Sequence, residues 1–242
     1  MTTPLQATEA PRTPLQATAA SRTPLLVLCA VLVVAIGLNQ WGIVGGSPWL
    51  AAVGQLTMSA TATLVVVVFT RGLTQVLGGL GMLGCFSGDL VPRFIEQPTT
   101  DLALIAAFAA GQLLLVAAFW GWVDWRSPRT ARVAVVLSVY AVALLGYLAV
   151  APGVQRDLLG PVALYAVLLV LMAVTASVHP VALLGAIAFI ISDSILALKI
   201  LGVVDDNVPT SSSAMAFYGA ALLLLAVGLV AQDRRAVRAT RP

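Results

Sequence analysis

Two aspartates stand where a lipid bilayer disfavours charge. Asp89 closes the run Met82-Leu83-Gly84-Cys85-Phe86-Ser87-Gly88-Asp89, and Asp193 closes Gly185-Ala186-Ile187-Ala188-Phe189-Ile190-Ile191-Ser192-Asp193. A carboxylate at membrane depth costs about 2.5 kcal/mol or more on insertion scales, so such a residue is expected to face a partner, a cavity or a reaction. The chemistry open to a pair of acids is proton transfer, as general acid and base or as steps of a proton relay. Ser87 and Ser192 have no visible base beside them and read as small polar packing residues rather than nucleophiles. The single His179, before Pro180, reads as a loop residue far in depth from both acids. With Cys29 and Cys85 widely separated it cannot make the usual zinc set, so no metal or cofactor is expected, although a hard cation between the two acids stays open.

The elements that must carry these acids are membrane helices. Of 242 residues 60% are hydrophobic and 10% charged, with a mean hydropathy of +1.00, far from a soluble domain with about 25% charge. Apolar stretches able to cross about 30 Å of hydrocarbon occur eight times, at 25–44, 49–69, 72–91, 101–122, 131–151, 159–178, 180–201 and 212–231. The fold class expected is an all-α polytopic bundle of about eight transmembrane helices, with residues 23–232 as the membrane domain. Residues 1–22, where Thr3-Pro4-Leu5-Gln6-Ala7-Thr8 recurs as Thr13-Pro14-Leu15-Gln16-Ala17-Thr18, read as a disordered cytoplasmic tail. Residues 233–242 read as a basic cytoplasmic tail. Gly84-x-x-x-Gly88 reads as a close helix contact, and Trp41, Trp49, Trp120, Trp122 and Trp125 fall near span ends, as an interfacial belt requires.

Charge orients the eight spans. One side collects Arg12, Arg22, Arg71, Arg126, Arg129, Arg132, Arg234, Arg235, Arg238 and Arg241, and the other holds Arg93, Arg156 and Lys199. Ten against three predicts both termini in the cytoplasm and a multi-pass protein of the plasma (inner) membrane. The basic excess therefore orients the chain, and no nucleic-acid partner is expected. On this topology Asp89 lies 18 residues beyond Arg71, about 27 Å, and Asp193 lies 14 beyond His179, about 21 Å. Both belong to the outer half, with Tyr218 and Tyr165 at similar depth and Gln112 nearer the middle. The helical neighbours of Asp193 are apolar, so its partner must come from another helix. Asp89 has Arg93 at i+4, a possible ion pair that Pro92 weakens by disturbing the helix between them.

Several of these segments resemble a known family. Leu83-Gly84-Cys85-Phe86-Ser87-Gly88-Asp89, Ala107-Phe108-Ala109-Ala110-Gly111-Gln112 and Ala117-Ala118-Phe119 are similar to the first signature of the YhhN, or lysoplasmalogenase-like, membrane proteins. Tyr165 with Met172 and Ala176, then Gly185 to Ala197 around Ser192-Asp193, then Phe217-Tyr218, resemble the second. The resemblance covers about residues 75 to 230 in order. It implies hydrolysis of the vinyl-ether bond of lysoplasmalogens, with a lysophospholipid as substrate and a fatty aldehyde and a glycerophospho-head group as products. Asp89 and Asp193 are then the acid/base pair, with Tyr218, Gln112, Ser192 and Tyr165 lining the site and Arg93 placed to meet a lipid phosphate. Such a bond is cleaved by protonating its β-carbon and adding water to the resulting oxocarbenium ion, work that two carboxyl groups can share.

The chain departs from the family pattern at three places. Gln112 stands where a His follows the Gly of span four, Ala221 stands near a usual Gln, and the Lys-Pro of span two is missing. Gln112 can hydrogen-bond but cannot carry a proton as His does. Two other functions follow from the same residues: a non-catalytic homologue that binds single-chain lipids, and a proton-coupled transporter, which inverted-repeat symmetry would favour.

Overall fold

The protein is described by a computed structural model covering residues 23–96 and 99–239. The repeated Thr/Pro-rich segment 1–22 and residues 240–242 lie outside the described residues. Eight long helices follow in order: α1 Thr23–Val44, α2 Pro48–Phe69, α3 Gly72–Phe94, α4 Thr99–Trp120, α5 Pro128–Val150, α6 Leu159–Ala176, α7 Pro180–Ile200 and α8 Val208–Ala239, with a 3₁₀ turn at Arg156–Leu158 before α6. Three of them open on a proline in the first turn, Pro48, Pro128 and Pro180. There the fixed φ suits the helix and the missing N–H has no intrahelical partner to lose. Gly46 and Gly202 turn the chain with positive φ in the α1–α2 and α7–α8 loops.

Seven of these helices are long and apolar enough to cross a membrane, which makes this a multi-pass membrane protein. The expectation of eight spans meets one departure. At 23 residues α3 has the length, but six glycines, Gln75, Asp89 and Arg93 dilute its apolar character. It is nevertheless part of the bundle, packed between α2 and α4. The other departure is α8, which does not stop at 231 but continues through Ala239. Ala, Arg and Val continue the helix without a breaker, and Arg234 lies over the Phe69 ring at the end of α2, 5.8 Å from its centroid. Residues 233–239 of the expected tail are therefore helical.

Packing is uneven. α8 runs along α7 and also touches α1, α2 and α3, while α1 pairs with α2 and α3 with α4. Backbones meet where glycine permits. A Cβ on Gly84 would fall 2.5 Å from the Gly111 Cα, one on Gly88 2.7 Å from the Phe108 ring, and one on Gly185 2.6 Å from the Leu225 nitrogen. The Gly84-x-x-x-Gly88 face is thus the α3–α4 contact that its spacing predicted. At the periphery α5 rests mainly on α6 and buries only Thr130 and Leu148. The main core joins α1–α4 with α6–α8, whereas a second, small cluster of Ile105, Leu148, Val162 and Leu201 ties α5 in at one end.

Candidate active site

Asp89 sits in the last turns of α3, and its carboxyl group is 1% exposed. The Gln55 side-chain amide of α2 donates to one oxygen at 2.8 Å, and the Tyr218 hydroxyl of α8 donates to the other at 2.9 Å. Ser59, one turn beyond Gln55, is buried beside them and directs its hydroxyl to the backbone carbonyl of Gln55 at 3.1 Å. The possible ion pair with Arg93 does not form. The guanidinium donates instead to the backbone carbonyl of Asp89 and to the Gln55 side-chain oxygen at 3.3 Å, because the Asp89 side chain turns inward to α2 and α8 while Arg93 folds along the helix end. Arg93 thus braces Gln55, and through it the acid.

Asp193 is placed by α7, about two turns before its end. The Tyr165 hydroxyl of α6 donates to one of its carboxyl oxygens, and no described cation lies within ion-pair distance of either acid. Two clefts meet at this pair. One lies between α5, α6 and α7, encloses about 460 Å³ with its open side included, and is walled by Ala141, Leu144, Leu145, Ala166, Leu169 and Ile190 among others. The other, about 320 Å³ on the same basis, lies between α4, α6 and α7 and reaches Leu104, Phe108 and Leu196. Tyr165 and Asp193, with Val162 and Ala197, line both; Asp89 lines neither.

Three rings fill the space that links the two acids. Phe108, Phe189 and Tyr218 stand mutually edge-to-face, with centroids 6.3 Å apart for Phe108–Phe189, 5.9 Å for Phe108–Tyr218 and 5.6 Å for Phe189–Tyr218. Phe108 also forms part of the α4 wall of the second cleft, so the cluster touches both halves of the site. Gln112 of α4 is fully buried near the Tyr165 hydroxyl, yet neither atom of its amide has a hydrogen bond of normal geometry. A buried amide without partners loses about 1–3 kcal/mol against a satisfied one.

The outline is two acids on separate helices, each hydrogen-bonded by a tyrosine, with Asp193 in the lining of apolar clefts. A model of the YhhN family matches residues 49–229. The chain belongs to the YhhN family. Comparison with curated proteins and with solved structures found no match for either. Every side chain named around the two acids falls inside the span matched to the YhhN family, whereas α1 and the end of α8 fall outside it.

Within this YhhN chain the structure brings Asp89 and Tyr218 together, and Asp193 and Tyr165 together. Gln112 joins them from α4. Ser192 is buried but lines neither cleft; Ser194 does, one helical step past the acid, and receives a hydrogen bond from the Tyr140 hydroxyl at 2.9 Å. Arg93 stands at the rim and is engaged with Gln55. His179 lies at the opposite end of α7, where its ring nitrogen caps the helix by accepting from the Val181 N–H at 3.2 Å. Burial, then the positive charges of Arg235 and Arg129, push its pKa down, which suits a neutral capping ring. Sequence reasoning passed over Gln55. Its signal was the same one that exposed the acids, a polar side chain two turns inside an otherwise apolar span.

Proposed function

We propose that the protein is a lipid hydrolase that cleaves the vinyl-ether bond of lysoplasmalogens, with Asp193 giving the proton and Asp89 serving as the carboxylate. The observation that carries this reading is the asymmetry of hydrogen bonding around the two acids. Asp89 has a donor on each oxygen, Gln55 and Tyr218, and hydrogen bonds of this kind favour the carboxylate. Asp193 accepts on one oxygen, from Tyr165, and its other oxygen is free to carry a proton toward the clefts it lines.

In the reaction, the Asp193 carboxyl proton passes to the β-carbon of the enol ether, the C=C electrons form the new C–H bond, and the ether oxygen shares the positive charge left on the α-carbon. The Asp89 carboxylate offsets that charge and takes a proton from the attacking water, a step that requires the Phe108–Phe189–Tyr218 cluster to part, because Asp89, Tyr218 and Gln112 line neither cleft. The hemiacetal then breaks its C–O bond to the glycerol: the proton held by Asp89 passes to that oxygen while the hemiacetal hydroxyl gives its proton to Asp193, which returns both acids to their starting states. One water is consumed, and one aldehyde and one glycerophospho-alcohol leave. The basic end of the bundle faces the cytoplasm by the arginine excess, which puts the site in the opposite leaflet of the plasma (inner) membrane.

The test is aldehyde release by the purified full chain from lysoplasmenyl against lyso-acyl phospholipids. Asp193→Asn and Asp89→Asn are each expected to lower the rate about 10²-fold or more, the range of a general acid or base. A folded sample that releases no aldehyde from any vinyl-ether lipid overturns the reading.

A further inference from the structure

The cleft between α5, α6 and α7 continues past the reacting acid. On the far side of the Tyr140–Ser194 hydrogen bond, the same two helices stand apart again, with Val133, Val136 and Leu137 of α5 facing Leu183 and Ile187 of α7. From Asp193 to Leu183 this seam follows ten residues of α7, about 15 Å. Its walls are apolar throughout, apart from Asp193, Tyr165 and the Tyr140–Ser194 bridge at the upper end and Arg132 at the lower. Ala141, Ala166 and Ala197 face the upper stretch from three different helices, and side chains this small leave room that a leucine at any of them would take.

We propose that the α5–α7 seam binds the hydrocarbon chain of a single-chain lipid and admits it sideways from the bilayer. This rests on Asp193 being the reacting acid of the proposed function. Alignment with that acid along α7, above the Tyr140–Ser194 bridge, selects the occupant. A chain laid in the seam with its polar end upward places its first carbons against Asp193 and Tyr165, while the walls below offer no donor or cation to a head group before Arg132. The helix that forms the outer wall is the one most easily moved aside. With only Thr130 and Leu148 buried, α5 is held to α7 by one side-chain bridge, Tyr140 to Ser194, and Tyr140 is 42% exposed at that mouth.

A non-cleavable probe separates this proposal from the hydrolase reading. A 1-O-alkyl lysophospholipid carrying a mid-chain diazirine would be photolysed with the full chain in phosphatidylcholine vesicles, and the labelled peptides mapped. Expected are adducts on the 133–144 stretch of α5 and the 183–190 stretch of α7, displaced by excess unlabelled lysolipid and not by added two-chain phospholipid. Ala141→Trp, or Ala166→Trp should the first fail to fold, is expected to raise the half-displacing lysolipid concentration about tenfold, and Ser194→Ala to speed labelling by opening the bridge. Adducts on the α2–α3 surface around Leu64 and Phe86, or adducts on every lipid-facing helix that lysolipid does not displace, overturn the proposal. Seam labelling without aldehyde release leaves it standing and removes the hydrolase; aldehyde release with labelling elsewhere does the reverse.

Discussion

The two acids live in differently built halves of one bundle. Asp89 lies where α2, α3, α4 and α8 press together, with glycines letting backbones approach and with every oxygen of its carboxyl group engaged. Asp193 lies where α5, α6 and α7 leave clefts, and one tyrosine holds it. A site that takes in a lipid from the membrane needs both conditions. Reacting groups must be fixed by rigid neighbours, while the guest requires a wall that yields. On the proposed function the chain divides the tasks, with the fully bonded acid in the tight half and the partly bonded acid in the loose one.

The contrast can be broken most directly by volume. Gly84→Leu forces a side chain into the α4 backbone at Gly111 and is expected to destabilise the protein by about 3 kcal/mol or more, whereas Ala141→Leu in the loose half is expected to stay within about 0.5 kcal/mol. Thermal melting of both in one detergent decides it, and equal losses would erase the distinction. The acids offer a finer comparison. Asp89→Asn sets an amide N–H₂ against the donors of Gln55 or Tyr218 and is expected to cost about 1–3 kcal/mol of stability, while Asp193→Asn can turn its oxygen to Tyr165 and should melt close to the parent. Similar losses of activity with dissimilar melting would sharpen the division into a rigid and a yielding half.

Two smaller effects belong to the ends of the bundle. The His179 pKa is lowered in the fold, so the unfolded chain binds the extra proton first and the cap contributes stability above the ordinary histidine range that is lost as pH falls through the lowered value. The melting temperature is expected to fall between pH 7.5 and 5.5 and to do so less in His179→Asn, since asparagine caps without titrating. At the other end Lys199 and Ser211 hold the Asp206 pKa down, but the Asp206 side chain is 75% exposed. Lys199→Met is expected to change stability by no more than about 1 kcal/mol, read by thermal melting.

The helices were legible because a bilayer leaves the backbone few choices. Apolar runs broken by Gly45-Gly46-Ser47-Pro48 or His179-Pro180 give their limits to within a few residues, and α8 ran on only because nothing in Asp233-Arg234-Arg235-Ala236 stops a helix. The acids and tyrosines were legible by depth, since a helix rises by a fixed step. Direction around the helix axis was not. Depth alone puts Ser192 and Ser194 side by side, yet only Ser194 faces the cleft, and Arg93 at i+4 looked like a partner for a carboxylate that points away from it. Gln55 needed the neighbouring helices, because a glutamine reveals its purpose only through what it touches.

α8 brings Gly219 against Ile36 and Met58, Leu229 against Gly78, and Tyr218 onto Asp89, so three earlier helices, α1, α2 and α3, take their final seats on one that follows them in the chain. During synthesis, α1 to α7 must wait in the membrane with those surfaces unmatched and with the carboxyl of Asp89 short of a donor. Assembly of the centre is accordingly a late event, set by the arrival of α8 rather than by the order in which the first seven insert, and a nascent chain halted before Val208 would present the lipid with an unfinished acid instead of a working one.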